Sequence, residues 1–187
     1  MRQHFLHAFL LTIVSIVVLV GGYTLIIWGV AQFSPGKGDG ETVMVNDKVV
    51  GYQLEGQKFT DDTYFYSRPS SAGYDASASS GSNKGPSNPD YLKSVESLID
   101  TFLVHNPSVK REDIPSELVT GSGSGLDPDI SPEGALIQIP RIAHARHIPS
   151  EKIAALVSSQ IQQPFLGIFG PQKVNVLRLN IALNNLR

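Results

Sequence analysis

Residues 8–30 constrain this chain most, because they read AFLLTIVSIVVLVGGYTLIIWGV and contain no Asp, Glu, Lys or Arg. The stretch without these charged residues extends from residue 3 to residue 36. About 20 apolar residues are enough for a helix to cross the hydrocarbon core of a bilayer. Tyr23 and Trp28, near the second end of the run, suit the interface between lipid and water. The sequence therefore predicts a transmembrane anchor over residues 8–30.

A cleaved signal peptide is the alternative interpretation of this run, since Gly29, Val30 and Ala31 have the small residues of a cleavage site. The apolar part of a signal peptide usually has about 7 to 15 residues and follows a clearly positive start. Here the run is longer, and only Arg2 and the terminal amine precede it. We therefore expect an uncleaved span.

The distribution of positive charge around the span predicts its orientation. Arg2 and the terminal amine lie on the short side, and positive charge tends to stay in the cytoplasm. We therefore expect a single-pass protein with a cytoplasmic amino terminus and the rest of the chain outside. Lys37, just beyond the span, opposes this orientation.

The overall charge and the lack of cysteine exclude several classes of function. The 187 residues include 15 Lys and Arg against 17 Asp and Glu, a net charge of -2. This balance produces no cationic field for nucleic acid, which we exclude as a partner. The chain has no cysteine, which excludes disulfides, thiol chemistry and zinc thiolate sites.

Beyond the span, the pattern predicts an α+β fold with a small β-sheet and several helices. Residues 31–42 form a linker, with the Gly-rich tether at 34–41, and residues 43–187 form a single domain. Residues 43–59 are rich in β-branched side chains around an NDK turn, which predicts a β-hairpin. Helices follow the strands, as is typical of α+β domains.

Four helices have readable start signals. Asn88, Ser131 and Ser150 are each predicted to cap a helix, because a short polar side chain there can accept from a free backbone amide. Pro140 is predicted to end or kink the second helix. Asn175 is predicted to cap the last helix, although its short alternating start leaves a strand possible.

Apolar residues at helical spacing predict which faces of these helices are buried. The predicted inward positions are Leu92, Val95, Ile99, Phe102, Leu136, Ile139, Ile142, Ala143, Ile153, Leu156, Val157, Ile161, Val176, Leu179 and Leu183.

Residues 120–131, TGSGSGLDPDIS, are the segment most suggestive of a binding loop, because glycines let backbone amides approach an anion. The segment lacks the lysine and the glycine spacing of a P-loop, and it contains no nucleophile elbow. A structural turn is the interpretation that we favour. Asp127 and Asp129 lack the further ligands of a calcium loop, and His144 and His147 lack a third zinc ligand. We therefore predict neither a metal site nor catalysis.

Three long motifs resemble one family. They read YFYSRPSSAGYDASASSGSNKGPSNPD, SELVTGSGSGLDPDISPEGALIQIPRIAHAR and KVNVLRLNIALNNL, and they are similar to the KdpC family of subunits of the potassium-transporting Kdp ATPase. The resemblance covers nearly the whole chain. It implies a non-catalytic subunit of a cell (inner) membrane complex that takes up potassium at high affinity. The implied partners are KdpA, which selects potassium, KdpB, the P-type ATPase, and the small subunit KdpF, besides the lipid bilayer.

The resemblance implies two alternative mechanisms. In one, a domain outside the cytoplasm docks on KdpA and supports assembly and activity of the pump. In the other, the chain is a catalytic chaperone that raises the ATP affinity of KdpB in a ternary complex, with its SGSGLD loop likened to an ABC-transporter signature. No cofactor is expected to be bound firmly, and ATP would act through KdpB. Gly121 stands where some members have glutamine, which weakens the expectation of direct ATP contact.

The candidate site residues fall in two polar loops. Their predicted role is to order the loops or to contact a partner, because short polar side chains readily bond to backbone groups. A plain turn or cap is the alternative for each of them. The first loop carries Arg68, Ser82, Asn83, Ser87 and Asn88, and the second, nucleotide-linked in the chaperone mechanism, carries Ser122, Gly123, Ser124, Gly125 and Asp127.

Overall fold

A computed structural model describes the backbone of residues 2–186 and the side chains of residues 4–186. The chain divides into two compact units, residues 1–42 and 43–187. The first unit contains α1 (Arg2–Ser15), a π-helical stretch (Ile16–Gly22) and α2 (Tyr23–Ala31). Within the described chain, His4–Ala31 is one helix long and apolar enough to cross a membrane. Turns follow it, with Lys37, Gly38 and Gly40 at positive φ.

The second unit begins with the hairpin that the sequence predicts. Strands β1 (Thr42–Val45) and β2 (Lys48–Tyr52) form a two-stranded sheet. Asn46 and Asp47 connect them with φ values of 50° and 60°. A two-residue hairpin turn favours such left-handed conformations, which Asn and Asp tolerate better than most residues. The pairing ends at residue 52, so the strand content is smaller than residues 43–59 suggested.

Five α-helices, three single-turn 3-10 helices and a second short sheet complete the described part of the unit, and the predicted α+β class is confirmed. Strands β3 (Asp129–Ile130) and β4 (Val174–Asn175) pair antiparallel, with Asp129 opposite Asn175 and Ile130 opposite Val174. The helices are α3 (Pro89–His105), α4 (Pro132–Leu136), α5 (Ile139–Arg146), α6 (Ser150–Gln160) and α7 (Val176–Asn184).

Three of the four predicted caps are confirmed. The Asn88 side chain accepts from two amides of the first turn of α3, at 3.0 and 3.1 Å. Ser131 accepts from the amide of Gly134 at 2.9 Å, and Asn175 accepts from the amide of Arg178 at 3.0 Å. The last segment is thus both strand and helix, since β4 leads directly into α7.

The predicted cap at Ser150 is wrong. Ser150 is the first residue of α6, and its side chain makes no capping bond. The helix begins one position earlier than expected, because the amides of Lys152 and Ile153 donate to the carbonyl of Pro149. Pro140 lies in the first turn of α5, and the expected break falls just before it, at Ile137 and Gln138.

One apolar core lies between the helices and the segment at residue 65. Phe65, Ile142, Ile153, Leu179 and Leu183 are all fully buried. Most of the predicted inward positions belong to this core or pack against it.

Leu92 and Leu136 were predicted to face inward, but both are exposed. Each lies in a terminal turn of its helix, α3 or α4. Helical periodicity indicates which face is apolar, but it does not indicate how far along the axis the core extends. These two positions lie beyond that limit.

Asn88→Ala is expected to lower the free energy of unfolding by about 1 kcal/mol, because two amides of α3 lose their acceptor. Ser150→Ala is the matched control, and we expect a change within about 0.5 kcal/mol, since that hydroxyl caps nothing. Urea unfolding of the purified full-length chain in detergent, followed by circular dichroism, measures both. Equal losses in the two variants would contradict the assignment of the caps.

Candidate interaction site

The site is built on residues 61–66, which we call the clamped segment because buried side chains bond its backbone. Asn180 of α7 accepts from the amide of Phe65 at 2.8 Å and donates to its carbonyl at 3.0 Å. Gln138 accepts from the amide of Tyr66 at 2.7 Å and donates to the carbonyl of Gly134 at 2.9 Å. Both amide side chains are buried. They satisfy backbone groups that no strand or helix pairs.

Arg141 of α5 extends the clamp with a buried guanidinium. Its Nη1 donates to the carbonyls of Asp62 and Tyr64, at 2.6 and 2.9 Å. Its Nε donates to Asn106 at 3.1 Å, and its Nη2 donates to Gln138 at 2.8 Å. Burial lowers the pKa of this guanidinium. These bonds offset the loss of water around the charge.

Arg146 holds the same segment from the next turn of α5. Its Nε donates to the carbonyl of Thr63 at 2.6 Å, and its Nη2 donates to Asn184 at 2.8 Å. Its guanidinium lies 4.8 Å from the centre of the Tyr64 ring. The structure therefore assigns both Arg141 and Arg146 to the clamp. Helical spacing puts Gln138 and Arg141 on one face, but no local signal shows that this face is buried.

Asp62, Tyr66 and His105 form a polar cluster at the edge of the clamp. The Tyr66 hydroxyl donates to the Asp62 carboxylate, and Nδ1 of His105 lies 2.8 Å from the same oxygen. The hydrogen bonds from Tyr66 and His105 hold the pKa of Asp62 below its ordinary value, although partial burial opposes them. Burial, reinforced by the bond to Asp62, raises the pKa of Tyr66 to about 12. The cluster therefore favours a neutral phenol beside an ionised carboxylate.

Residues 67–80 follow the clamped segment directly, and they contact residues 122–127. We call the surface that these two loops form the two-loop platform. Arg68 and Asp127 form an ion pair with Nη1 and Oδ2 2.7 Å apart. Ser70 donates to the carbonyl of Gly125 at 2.6 Å, and the amide of Ser80 donates to the carbonyl of Ser124 at 2.9 Å. The structure thus brings together Arg68 of the first loop and most of the candidate residues of the second.

The second loop also bonds to itself. Ser122 accepts from the amide of Gly125 at 2.9 Å, and Ser124 accepts from the amide of Leu126 at 3.1 Å. Asp127 accepts from the amide of Asp129 at 3.1 Å. The hydroxyls and the carboxylate of this loop therefore hold its own turns.

The glycines of the second loop differ in their steric constraints. Gly125 has a φ of 70°, and a Cβ there would lie 2.7 Å from the carbonyl oxygen of Ser80. A side chain at Gly125 would therefore separate the loops. Gly123 has open space where a Cβ would point, so sterics permit a side chain there.

Ser82, Asn83 and Ser87 lie apart from these contacts. All three are exposed, and Asn83 has a φ of 53°. Their side chains make no hydrogen bond within residues 4–186. Contact with a partner therefore stays the prediction for them, whereas Asn88 caps α3.

The described residues contain no group of three His, Cys, Asp or Glu side chains placed to hold a metal ion. His144 and His147 sit near the end of α5, where His147 adopts a φ of 55°.

The described residues therefore contain a candidate membrane span followed by an α+β domain. A family model described as "KdpC: K+-transporting ATPase, c chain" matches residues 5–185. The chain belongs to the KdpC family, whose members are subunits of potassium-transporting ATPase complexes.

Similar proteins agree with this assignment over nearly their whole length, and those named below are each called potassium-transporting ATPase KdpC subunit. The relative from Flavobacterium psychrophilum is 54% identical over 177 residues, 95% of each chain. The relative from Phocaeicola vulgatus is 50% identical over 188 residues, covering 99% of this chain and 100% of its own. The relative from Caldanaerobacter subterraneus subsp. tengcongensis is 44% identical over 173 residues, 92% of this chain and 90% of its own.

Asn180→Ala is expected to lower the free energy of unfolding by about 2 kcal/mol or more, because it leaves both backbone groups of Phe65 unpaired in the core. Asn185→Ala is the control. Asn185 is exposed at the end of α7, so we expect a change within about 0.5 kcal/mol. Urea unfolding in detergent measures both. A loss for Asn180→Ala no larger than that of the control would contradict the clamp.

The raised pKa of Tyr66 predicts a loss of stability in base. The environment favours the neutral phenol, so its contribution is complete below the pKa of an unfolded tyrosine, about 10. It is lost as the pH rises toward about 12, the pKa in the folded chain. Between pH 8 and pH 11 the wild type is expected to lose more unfolding free energy than Tyr66→Phe. Tyr52→Phe, at an exposed position outside the cluster, should follow the wild type, and parallel curves for all three chains would refute the prediction.

Proposed function

We propose that this chain is a non-catalytic accessory subunit of the Kdp pump, required for assembly and activity, which docks on KdpA from outside the cytoplasm. Residues 8–30 would anchor the chain in the membrane, residues 31–42 would link the anchor to the domain, and residues 43–187 would form the docking domain. KdpB and KdpF would complete the complex in the cell (inner) membrane. The observation that carries the docking role is the two-loop platform, a polar surface ordered by its own hydrogen bonds.

Satisfied hydrogen bonds in the second loop support docking over direct nucleotide contact. A phosphate-binding loop directs free backbone amides at the anion. Here the amides of Gly125 and Leu126 donate to serine hydroxyls of the same loop. Asp127 adds negative charge, and the nearby Arg68 is paired with it. We therefore infer that ATP binds to KdpB and that this chain contributes no phosphate ligand.

The positive charge that precedes the span supports this orientation. Arg2 precedes the apolar run, and positive charge tends to remain in the cytoplasm. In this orientation the platform has no access to cytoplasmic ATP. Any effect of the chain on nucleotide affinity would then be a coupling free energy transmitted through the complex.

Exposed polar residues beside the platform supply the proposed contact surface. Ser82, Asn83 and Ser87 have unused hydrogen-bonding groups within the described chain, and the Asn88 cap fixes where their loop ends. The platform beside them is ordered by its own hydrogen bonds, and a surface that is ordered before binding loses less conformational entropy when a partner docks.

Limited proteolysis tests both parts of this proposal. The bond after Lys84 is a trypsin site in this exposed stretch. In spheroplasts, external trypsin is expected to cut there when the chain is expressed alone. Co-expression with KdpA, KdpB and KdpF is expected to slow this cut at least tenfold, with the fragments identified by mass spectrometry.

Inverted membrane vesicles provide the control, and we expect the Lys84 bond in them to be resistant. Cutting only in inverted vesicles would contradict the outward orientation. Equal rates with and without the partner subunits would contradict docking through this loop.

A further inference from the structure

Residues 161–173 form a two-stranded ribbon that takes no part in the clamp or the platform. Gln162 and Lys173 exchange backbone hydrogen bonds of 2.8 and 3.2 Å. Phe165 and Phe169 exchange another pair, of 2.9 and 3.0 Å. The base is tied to the domain, because Lys173 forms an ion pair with Asp129 at 2.6 Å. The ribbon therefore holds its tip, residues 165–169, in a defined conformation.

The tip exposes four large apolar side chains within five residues. The exposed fractions are 72% for Phe165, 74% for Leu166, 76% for Ile168 and 60% for Phe169. Residues 161–172 contain no Asp, Glu, Lys or Arg. Single exposed apolar residues are common on protein surfaces, but a contiguous group marks a contact surface.

Besides its exposed apolar side chains, the tip has an energetically unfavourable backbone conformation. Leu166 has a φ of 54°, in the left-handed region, and Gly167 follows with 77°. The left-handed conformation costs a residue with a β-carbon about 1–2 kcal/mol, and glycine or asparagine usually occupies such positions. A leucine at this position is thus unfavourable in two ways, because its backbone is strained in the turn and its apolar side chain is exposed to water. A strained residue of this kind is expected where a contact outside the chain compensates.

We propose that the 165–169 tip inserts into an uncharged apolar cleft on another membrane subunit of the ATPase complex. The inference rests on the proposed docking and assigns it a second, apolar contact. Membership of the KdpC family makes the other subunits of a K+-transporting ATPase the candidate partners.

The composition of the tip favours a protein cleft over lipid as the occupant. Segments that lie in a bilayer interface usually combine Trp or Tyr with Lys or Arg, and residues 161–172 contain none of these. Rigid aromatic side chains in a desolvated pocket are typical anchors of protein interfaces.

A photo-crosslinking residue placed at Ile168 identifies the occupant. The experiment uses the full chain co-expressed with KdpA, KdpB and KdpF in native membranes. Illumination is expected to link the chain to one of those subunits. Adducts with lipid only, with a second copy of this chain only, or with nothing would each overturn the proposal.

A substitution series tests whether the contact matters. Phe165→Ser combined with Phe169→Ser is expected to lower recovery of the detergent-purified complex about tenfold or more, as for loss of interface anchors. Val104→Ser is the matched control, because Val104 is 77% exposed on α3, and we expect full recovery. The thermal midpoint of the isolated double variant should match the wild type, since neither ring belongs to the core.

The two proposals fail in different ways. If the wild-type chain recovers no partner subunit, the proposed function fails. If the wild-type chain and the double variant recover the partners equally, only the role of the tip fails. Should the double variant unfold, the crosslink at Ile168 still decides.

Discussion

Buried backbone without secondary structure must find hydrogen bonds, and this requirement organises the domain. The clamped segment, residues 61–66, passes beside the core, where Phe65 is fully buried. Asn180 supplies both bonding groups that a neighbouring strand would have supplied to Phe65. Gln138 does the same for the amide of Tyr66. Side chains of the helices therefore act as the missing strand.

The break between α4 and α5 has a structural role in this clamp. Gln138 occupies the interruption just before Pro140, and Arg141 follows one turn later. Arg141 donates to main-chain carbonyls at 2.6 and 2.9 Å, and the Asp62 carboxylate lies farther from its Nη1, at 3.9 Å. A buried charge with these partners fixes the position of the backbone that it bonds. Removing the partners costs more folding free energy than the contacts contribute to stability.

The clamp sets the position of the platform. Ser67, the next residue, is buried and donates to the carbonyl of Gln57 at 2.8 Å. Arg68 then reaches Asp127. A third segment joins at Gly56, whose amide donates to the carbonyl of Leu126 at 2.7 Å. Any Cβ at Gly56 would lie 2.6 Å from the carbonyl oxygen of Asp127. Residues 67–80 are therefore bonded to the domain, although their serine-rich composition resembles that of a flexible linker.

The apolar span, the Asn46-Asp47 turn, three helix caps and the break near Pro140 could all be predicted from the amino-acid sequence, because each depends on residues close together in the chain. Which polar side chains are buried could not be predicted, because it depends on contacts between distant segments. Asn180 and Phe65 are 115 positions apart, and Gln138 and Tyr66 are 72 apart. Helical periodicity assigns apolar faces, but it carries no information about a distant backbone that needs a donor. Because long-range packing decides burial, the charged Arg141 is buried and the apolar Leu92 is exposed, the reverse of what their hydropathy suggests.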